Sequence, residues 1–167
     1  TIFEETPHRY ARRIDKILTI CERLSSEVET QLKDGKKFPV VISGDHSPAA
    51  GTIAGIRKAF PDKRIGVIWI DAHADIHTPY TTPSGNMHGM PLCVSLGIDH
   101  KEHQLHDPNK ETIEFWEKFK KLGGEDFSES VACYKALCKY LSEQQSICDR
   151  HEAATRRLKI LVPVVRF

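Results

Sequence analysis

The residues best suited to chemistry lie at the end of the run IGVIWIDAHAD, residues 65–75; they are Asp71, His73 and Asp75. The apolar part predicts a buried strand over 65–71, and side chains at positions i, i+2 and i+4 of an extended chain project to one side. Two carboxylates and an imidazole on one side repel one another or stay unsatisfied unless a cation lies among them. Oxygen and nitrogen donors of this kind suit Mn²⁺ or Zn²⁺. The spacing therefore predicts a divalent-metal site.

A second candidate lies upstream in FPVVISGDHS, residues 38–47, where another apolar run leads to Asp45, His46 and Ser47. The run predicts a strand over 38–43, and ligands bind beyond the carboxyl ends of strands in open parallel α/β sheets. The alternative is that Asp45 and Ser47 only cap the next helix, since both residue types are good N-caps. Two neighbouring strands that both end in acids and histidines favour a shared metal site.

The elements that position these residues are predicted to form a β-α-β unit. Apolar residues at three- and four-residue spacing predict a helix over 8–34, and a second helix is predicted over 48–60. Because this second helix connects the strands over 38–43 and 65–71, we expect those strands to be parallel, with a right-handed crossover. Two glycines in the second helix allow close packing against the sheet; they are Gly51 and Gly55.

The central part of the chain is predicted to contain a long loop and a solvated segment. The loop covers 76–91, IHTPYTTPSGNMHGMP, and a long loop directly after a ligand-bearing strand is more often functional than idle. A short helix is predicted to begin over 92–97. Residues 98–124 are polar and mixed, and we expect no apolar framework that could position their three histidines, which are His100, His103 and His106.

The C-terminal part is predicted to contain helix and one last strand. Residues 126–159 have the apolar spacing of one or two helices. Residues 158–165, LKILVPVV, are apolar and β-branched and predict a strand, which Pro163 places at an edge of the sheet.

Composition excludes several function classes. The chain has 24 basic and 23 acidic residues, a net charge of +1, without a basic patch for nucleic acid. Its apolar runs are strand-sized, which argues against a membrane span, and the N-terminal residues do not resemble a signal peptide. The five cysteines lack a C-x-x-C pair, which predicts reduced, mostly buried thiols in a cytoplasmic protein. The start at Thr1 without Met suggests a processed chain or a fragment.

The order strand, GDHS, helix, strand, DAHAD and TTPSGNMHG resembles the ureohydrolase family, and within it the arginases. The resemblance covers the motif-bearing residues 38–97, whereas 125–167 align with no part of the family pattern. It implies a single α/β domain over 1–167, with a three-layer α/β/α architecture and a mainly parallel sheet. It also implies two Mn²⁺ ions, a homo-oligomer and a small-molecule substrate, L-arginine.

The resemblance assigns a role to each matching residue. His46 and Asp75 would bind one metal and His73 the other, while Asp71 would bridge both. In the loop, the resemblance implies three further roles: a proton shuttle for His88, and recognition of the α-carboxylate and α-amino groups of arginine by Ser84 and Asn86. Relatives that act on agmatine do not have this loop, so the resemblance favours arginase over agmatinase.

The implied reaction is hydrolysis of L-arginine to L-ornithine and urea by metal-activated hydroxide. The chain departs from the family pattern in three ways. His77 replaces an Asn that many relatives have on the substrate side, Ser43 replaces the first Gly of GGDHS, and no later D-x-D motif completes the metal sites. Two alternatives therefore stay open: a non-catalytic or truncated ureohydrolase-like protein, and a related hydrolase acting on another guanidino or formimino compound.

Overall fold

Four α-helices and two short strands form the part of the chain that the structure describes. The computed structural model describes residues 6–35, 38–124, 135–136, 139–140 and 164–166. The elements in chain order are α1 (Ile14–Lys33), α2 (Ala49–Ala59), β1 (Gly66–Ile68), α3 (Pro91–Leu96), α4 (Lys110–Lys120) and β2 (Val164–Arg166). Single turns of 3₁₀-helix lie at Met87–Gly89, Lys101–His103 and Lys121–Gly123. The predicted helices over 126–159 lie almost entirely outside the described residues.

Helix α1 forms because its apolar and small side chains recur every three or four residues and give one buried stripe. The buried members are Ile14, Leu18, Cys21, Ser25 and Val28. The helix begins at Ile14 and not near residue 8 as predicted. Arg13, the residue before it, has a left-handed backbone with φ of 60°, which cannot continue a right-handed helix toward the N-terminus.

Glycines let α2 lie directly against α1. A Cβ at Gly51 would lie 2.8 Å from the Cα of Cys21, and one at Gly55 would lie 2.6 Å from the carbonyl oxygen of Ser25. Any larger residue would therefore push the two helices apart. The predicted close packing is found, but its partner is the backbone of α1 and not a sheet.

Helix α4 corrects the prediction of a solvated segment over 98–124. Asn109 caps the helix by accepting a hydrogen bond from the Thr112 amide at 2.8 Å. Thr112, Trp116 and Phe119 recur at helical spacing and are buried. Because many Lys and Glu residues lie between them, the sequence does not show this narrow apolar stripe clearly. The core that α4 joins contains Ala11, Ile14, Leu18, Cys21, Ala50, Met87, Met90 and Val94.

The sheet differs from the predicted parallel pair. Strand β1 covers only Gly66–Ile68, and it pairs antiparallel with β2, Gly66 lying opposite Arg166. Of the last strand predicted over 158–165, residues 164 and 165 lie in β2, and 158–163 lie outside the described residues. Residues 38–43 are described throughout and form no strand, so the predicted parallel pairing is wrong there. Strand pairing requires two backbones in register about 4.8 Å apart, and apolar composition does not specify that register.

The segment around β1 is covered on one side. Val67 and Trp69 pack against Leu92 and Leu96 of α3. On the other side Ile70 is 84% exposed, and Ile68 is exposed as well. Apolar residues of the run over 38–43 are also exposed, namely Phe38, Val40 and Ile42. One helical layer of the predicted three-layer architecture is therefore present against β1 among the described residues. In the same part of the chain, the helices are all too short or too polar to cross a membrane.

Candidate metal centre and substrate loop

Three predicted metal ligands lie together at the end of the segment that contains β1. One donor atom from each of His46, Asp71 and Asp75 lies within 4.8 Å of the other two. The Nδ1 atom of His46 is 2.6 Å from Oδ2 of Asp71 and 3.0 Å from Oδ2 of Asp75. The imidazole therefore lies against two carboxylates, which are its partners in the absence of a cation.

The turn before α2 places His46. The Oδ1 atom of Asp45 accepts a hydrogen bond from the Ser47 amide at 2.8 Å, which closes a tight turn around His46. The residue at the N-cap of α2 is Pro48, and it makes no side-chain cap bond. Asp45 therefore orders the turn, while the ring of His46 contacts Trp69 edge-on at 5.5 Å. The alternative that Asp45 and Ser47 only cap the next helix therefore explains part of the role of Asp45. It does not explain the position of His46.

Asp71 uses its two oxygens differently. Oδ1 accepts a hydrogen bond from the His73 amide at 2.9 Å and lies 3.4 Å from Nδ1 of the same residue. Oδ2 faces His46. The hydrogen bond from the His73 amide, together with the nearby His46 imidazole, lowers the pKa of the Asp71 carboxyl. Asp71 thus lies between two imidazoles, with one oxygen near each.

Asp75 joins the cluster through its backbone conformation. Its φ is 51°, and its carbonyl oxygen accepts the Leu92 amide at 3.2 Å, so the side chain is buried beneath His46. The prediction that Asp71, His73 and Asp75 share a strand face is wrong, because β1 ends at Ile68. A turn brings the two carboxylates together, and it leaves the His73 side chain 83% exposed at the edge of the group.

The predicted substrate residues lie on the loop that follows. The Oγ atom of Ser84 is exposed and accepts the Asn86 amide at 3.2 Å. His88 lies in the 3₁₀ turn and is also exposed. The His77 amide donates to Gly89 at 2.9 Å, and its Nδ1 lies 3.4 Å from the hydroxyl of Thr81. The roles of these residues stay predictions.

Sequence reasoning missed the residues that anchor this loop. Thr78 is fully buried, and its hydroxyl donates to the Asp99 carbonyl at 2.8 Å. Nε2 of His106 lies 2.6 Å from the carbonyl oxygen of Thr82. His106 was expected to lack a framework, yet its ring stacks on Tyr10. The Thr-Thr-Pro run over 81–83 indicates a turn, but it does not predict which distant residues hold that turn in place.

The donor set fits a divalent cation. Two carboxylates, one of them buried, face a single imidazole that carries at most one positive charge. A cation among them would remove the excess negative charge and satisfy the remaining oxygen lone pairs. Carboxylate oxygen and imidazole nitrogen are donors that Mn²⁺ accepts. The residues therefore match the chemistry of the predicted metal.

Comparison with known proteins gives one consistent result. The sequence profile of the Arginase family matches residues 8–144. The arginase of Bacillus subtilis (strain 168) is 49% identical over 90 residues, which are 54% of this chain and 29% of that protein. The arginase of Brevibacillus brevis is 44% identical over 105 residues, 60% of this chain and 34% of that protein.

Solved structures agree with the sequence matches. The arginase from Bacillus caldovelox has a TM-score of 0.58 at 35% identity, covering 76% of this chain and 36% of its own. The Entamoeba histolytica arginase, solved with L-ornithine, has a TM-score of 0.53 at 36% identity, covering 62% of this chain and 35% of its own. This chain spans about a third of the length of these relatives. With the motifs, the fold and a family profile that matches most of the sequence, the chain belongs to the arginase family.

Proposed function

We propose that this chain contains the metal-binding and substrate-binding part of a binuclear manganese site that hydrolyses L-arginine to L-ornithine and urea. The observation that best supports the proposal is the convergence of His46, Asp71 and Asp75, in a chain whose next loop is TTPSGNMHG. Two relatives named arginase are 49% and 44% identical to this chain, over 90 and 105 residues respectively.

Each residue has a chemical task in this proposal. His46 and Asp75 would hold one ion, His73 would hold the other, and Asp71 would serve both. When bound, the metal pair lowers the pKa of water so that hydroxide is available near neutral pH. This hydroxide source is needed because the guanidinium carbon is a poor electrophile and neutral water is a poor nucleophile.

The loop residues bind the substrate and move a proton. Ser84 and Asn86 hold the α-carboxylate and α-amino groups by hydrogen bonds, and His77 contacts the substrate between them and the metal ligands. The His88 imidazole delivers a proton to the departing side-chain nitrogen of ornithine. Histidine is the residue type best suited to exchange a proton near neutral pH, which fits this role.

We also infer a cytoplasmic protein that forms a homo-oligomer and belongs to a three-layer α/β/α architecture. Cys21 and Cys93 are free and buried, and burial raises the pKa of Cys21 to about 12, as expected for unreactive thiols in a reducing compartment. The bare apolar side of β1, opposite α3, is where a further helical layer would pack.

The decisive experiment compares L-arginine with agmatine, which lacks the α-carboxylate. Both the affinity for the manganese-loaded chain, by calorimetry, and urea release should be measured. A site that pairs polar groups with the amino-acid end should prefer arginine by roughly 10⁴-fold, because its own donors stay unpaired with agmatine. Ser84→Ala together with Asn86→Ala should remove most of that preference. Equal affinity and equal urea release for the two compounds would contradict the assigned loop role.

A non-catalytic ureohydrolase-like protein is the second candidate. It is favoured by the lack of a D-x-D motif in the sequence. Manganese binding without urea release from L-arginine, both by this chain and by a fusion with the part of the Bacillus subtilis arginase that it does not cover, supports this candidate. A panel of other guanidino and formimino compounds tests the remaining alternative, a hydrolase with another substrate.

A further inference from the structure

The turn over 82–86 is fixed by a segment that precedes α1. Gly85 has φ of 74°, and a Cβ there would lie 2.1 Å from the carbonyl oxygen of Arg9, so the turn requires glycine. The Gly85 carbonyl accepts the Arg12 amide at 2.8 Å, and the Gly85 amide donates to the Thr82 hydroxyl at 2.9 Å. Residues 9–12 therefore form one wall of the turn.

His106 holds the turn from a second direction. Its Nε2 lies 2.6 Å from the Thr82 carbonyl oxygen, and because a carbonyl only accepts, the proton lies on Nε2. The ring stacks on Tyr10 with centroids 4.3 Å apart and planes 8° apart. The backbone of His106 is tied down too, since its amide donates to the Tyr80 carbonyl at 3.1 Å. A single side chain thus joins residues 9–12 to the turn.

We propose that His106, stacked on Tyr10, is a positioning residue that holds the turn over 82–86 in its binding conformation and thereby sets the affinity for the amino-acid end of the substrate. The inference rests on the proposed roles of Ser84 and Asn86, which lie two and four residues after Thr82. Side chains on an ordered turn lose less conformational freedom on binding than those on a mobile one. His106 acts through the turn and does not itself contact the substrate.

Matched variants separate the hydrogen bond from the stacking. His106→Phe keeps an aromatic ring beside Tyr10 but loses the donor to Thr82. His106→Gln loses the ring but retains a donor at about the same reach as Nε2. His103→Gln, in the same segment, changes an exposed histidine in the 3₁₀ turn and is the control.

Two measurements on the manganese-loaded chain test the proposal: calorimetric binding of L-ornithine and amide hydrogen exchange of Gly85. His106→Phe should weaken L-ornithine binding roughly 5- to 10-fold, the range of one lost hydrogen bond, and should accelerate Gly85 exchange by a similar factor. His106→Gln should recover most of both values. The control should equal the unchanged protein.

Amide exchange at Leu18 in α1 distinguishes positioning from a loss of overall stability. If His106→Phe accelerates exchange equally at Leu18 and Gly85, the residue only stabilises the fold and the proposal is wrong. Unchanged binding and unchanged Gly85 exchange in this variant also overturn it. If the unchanged chain does not bind L-ornithine, the assigned role of Ser84 and Asn86 is wrong. The proposal that His106 sets the affinity for the substrate is then wrong as well. The Gly85 exchange then decides separately whether His106 orders the turn.

Discussion

At the scale of single residues, Asp71 is the side chain that should matter most to the proposed metal centre. Its Oδ2 faces His46 and its Oδ1 lies near His73, whereas His73 itself projects into solvent. A ligand between two sites affects both when it is removed, and an exposed ligand at the edge affects one. The geometry therefore ranks Asp71 above His73.

We predict that Asp71→Asn weakens Mn²⁺ binding at least about tenfold more than His73→Asn does, because the amide loses the negative charge that each ion requires. Metal content after dialysis against a fixed Mn²⁺ concentration, measured by elemental analysis, gives the comparison. Asp62→Asn, in the exposed turn before β1, is the charge-matched control and should retain its metal. Equal metal content in the Asp71 and His73 variants would contradict a bridging Asp71.

At the scale of elements, the two sides of the segment around β1 have opposite surroundings. Trp69 packs toward α3, where Leu96 is fully buried, whereas Ile70 is 84% exposed. Alternation of side chains along an extended segment produces this difference between neighbours. The sequence contains apolar residues at both positions and so does not reveal which side is covered.

We predict that Leu96→Ala lowers the free energy of unfolding by about 3 kcal/mol, because it leaves a cavity between α3 and the segment around β1. Ile70→Ala should lower it by less than about 0.5 kcal/mol, since the side chain already contacts solvent. Urea unfolding followed by circular dichroism measures both values. A cost for Ile70→Ala as large as that for Leu96→Ala would mean that the bare side is covered in solution.

Asp99 connects two further elements, helix α4 and the loop over 76–91. Asp99 Oδ1 accepts hydrogen bonds from Trp116 at 2.9 Å and Lys120 at 2.7 Å, both on α4. Burial of Lys120 would lower its pKa, but the hydrogen bonds to Asp99 and Glu117 outweigh burial and raise it. Since the Asp99 carbonyl also accepts from Thr78, α4 is joined to the start of the loop over 76–91.

We predict that Asp99→Ala destabilises the protein by about 2–3 kcal/mol, because it leaves the buried Lys120 and Trp116 donors with fewer partners. Thermal unfolding at pH 7 measures the loss. Because the pKa of Lys120 is raised in the folded state, its stabilising effect is complete at any pH below the pKa of an unfolded lysine, which includes pH 7. The effect is lost only when the pH rises through the folded-state pKa. Glu114→Ala, exposed on the same helix, is the control. An unchanged midpoint for Asp99→Ala would show that other contacts hold α4 in place.

At the scale of the whole molecule, the chain spans about a third of the length of its arginase relatives. Within the described residues, His46, Asp71 and Asp75 form the group that could hold a metal ion. The sequence lacks the D-x-D motif that the family resemblance leads us to expect. Ligands for a complete second site are therefore not evident from the residues at hand.

We predict that these 167 residues alone bind about one Mn²⁺ weakly and hydrolyse L-arginine slowly or not at all, because carboxylates without a full set of cations tend to be protonated. Calorimetric titration with Mn²⁺ gives the stoichiometry. A fusion with the part of the Bacillus subtilis arginase that this chain does not cover should bind two ions and release urea. Two tightly bound ions and rapid urea release from the unfused chain would contradict the prediction.

The sequence by itself determined the family, the presence of α1, α2 and α3 and the candidate ligands, because helical periodicity and the DAHAD and GDHS motifs are local patterns. Only the tertiary structure decided the rest. Strand pairing, the burial of α4 and the partners of His106 depend on residues far apart in the chain. The left-handed backbone of Asp75 and the exposed position of His73 likewise arise from a turn after β1, which the alternation of an ideal strand does not anticipate. Local patterns specify which side chains are available, whereas packing and backbone geometry specify which of them meet.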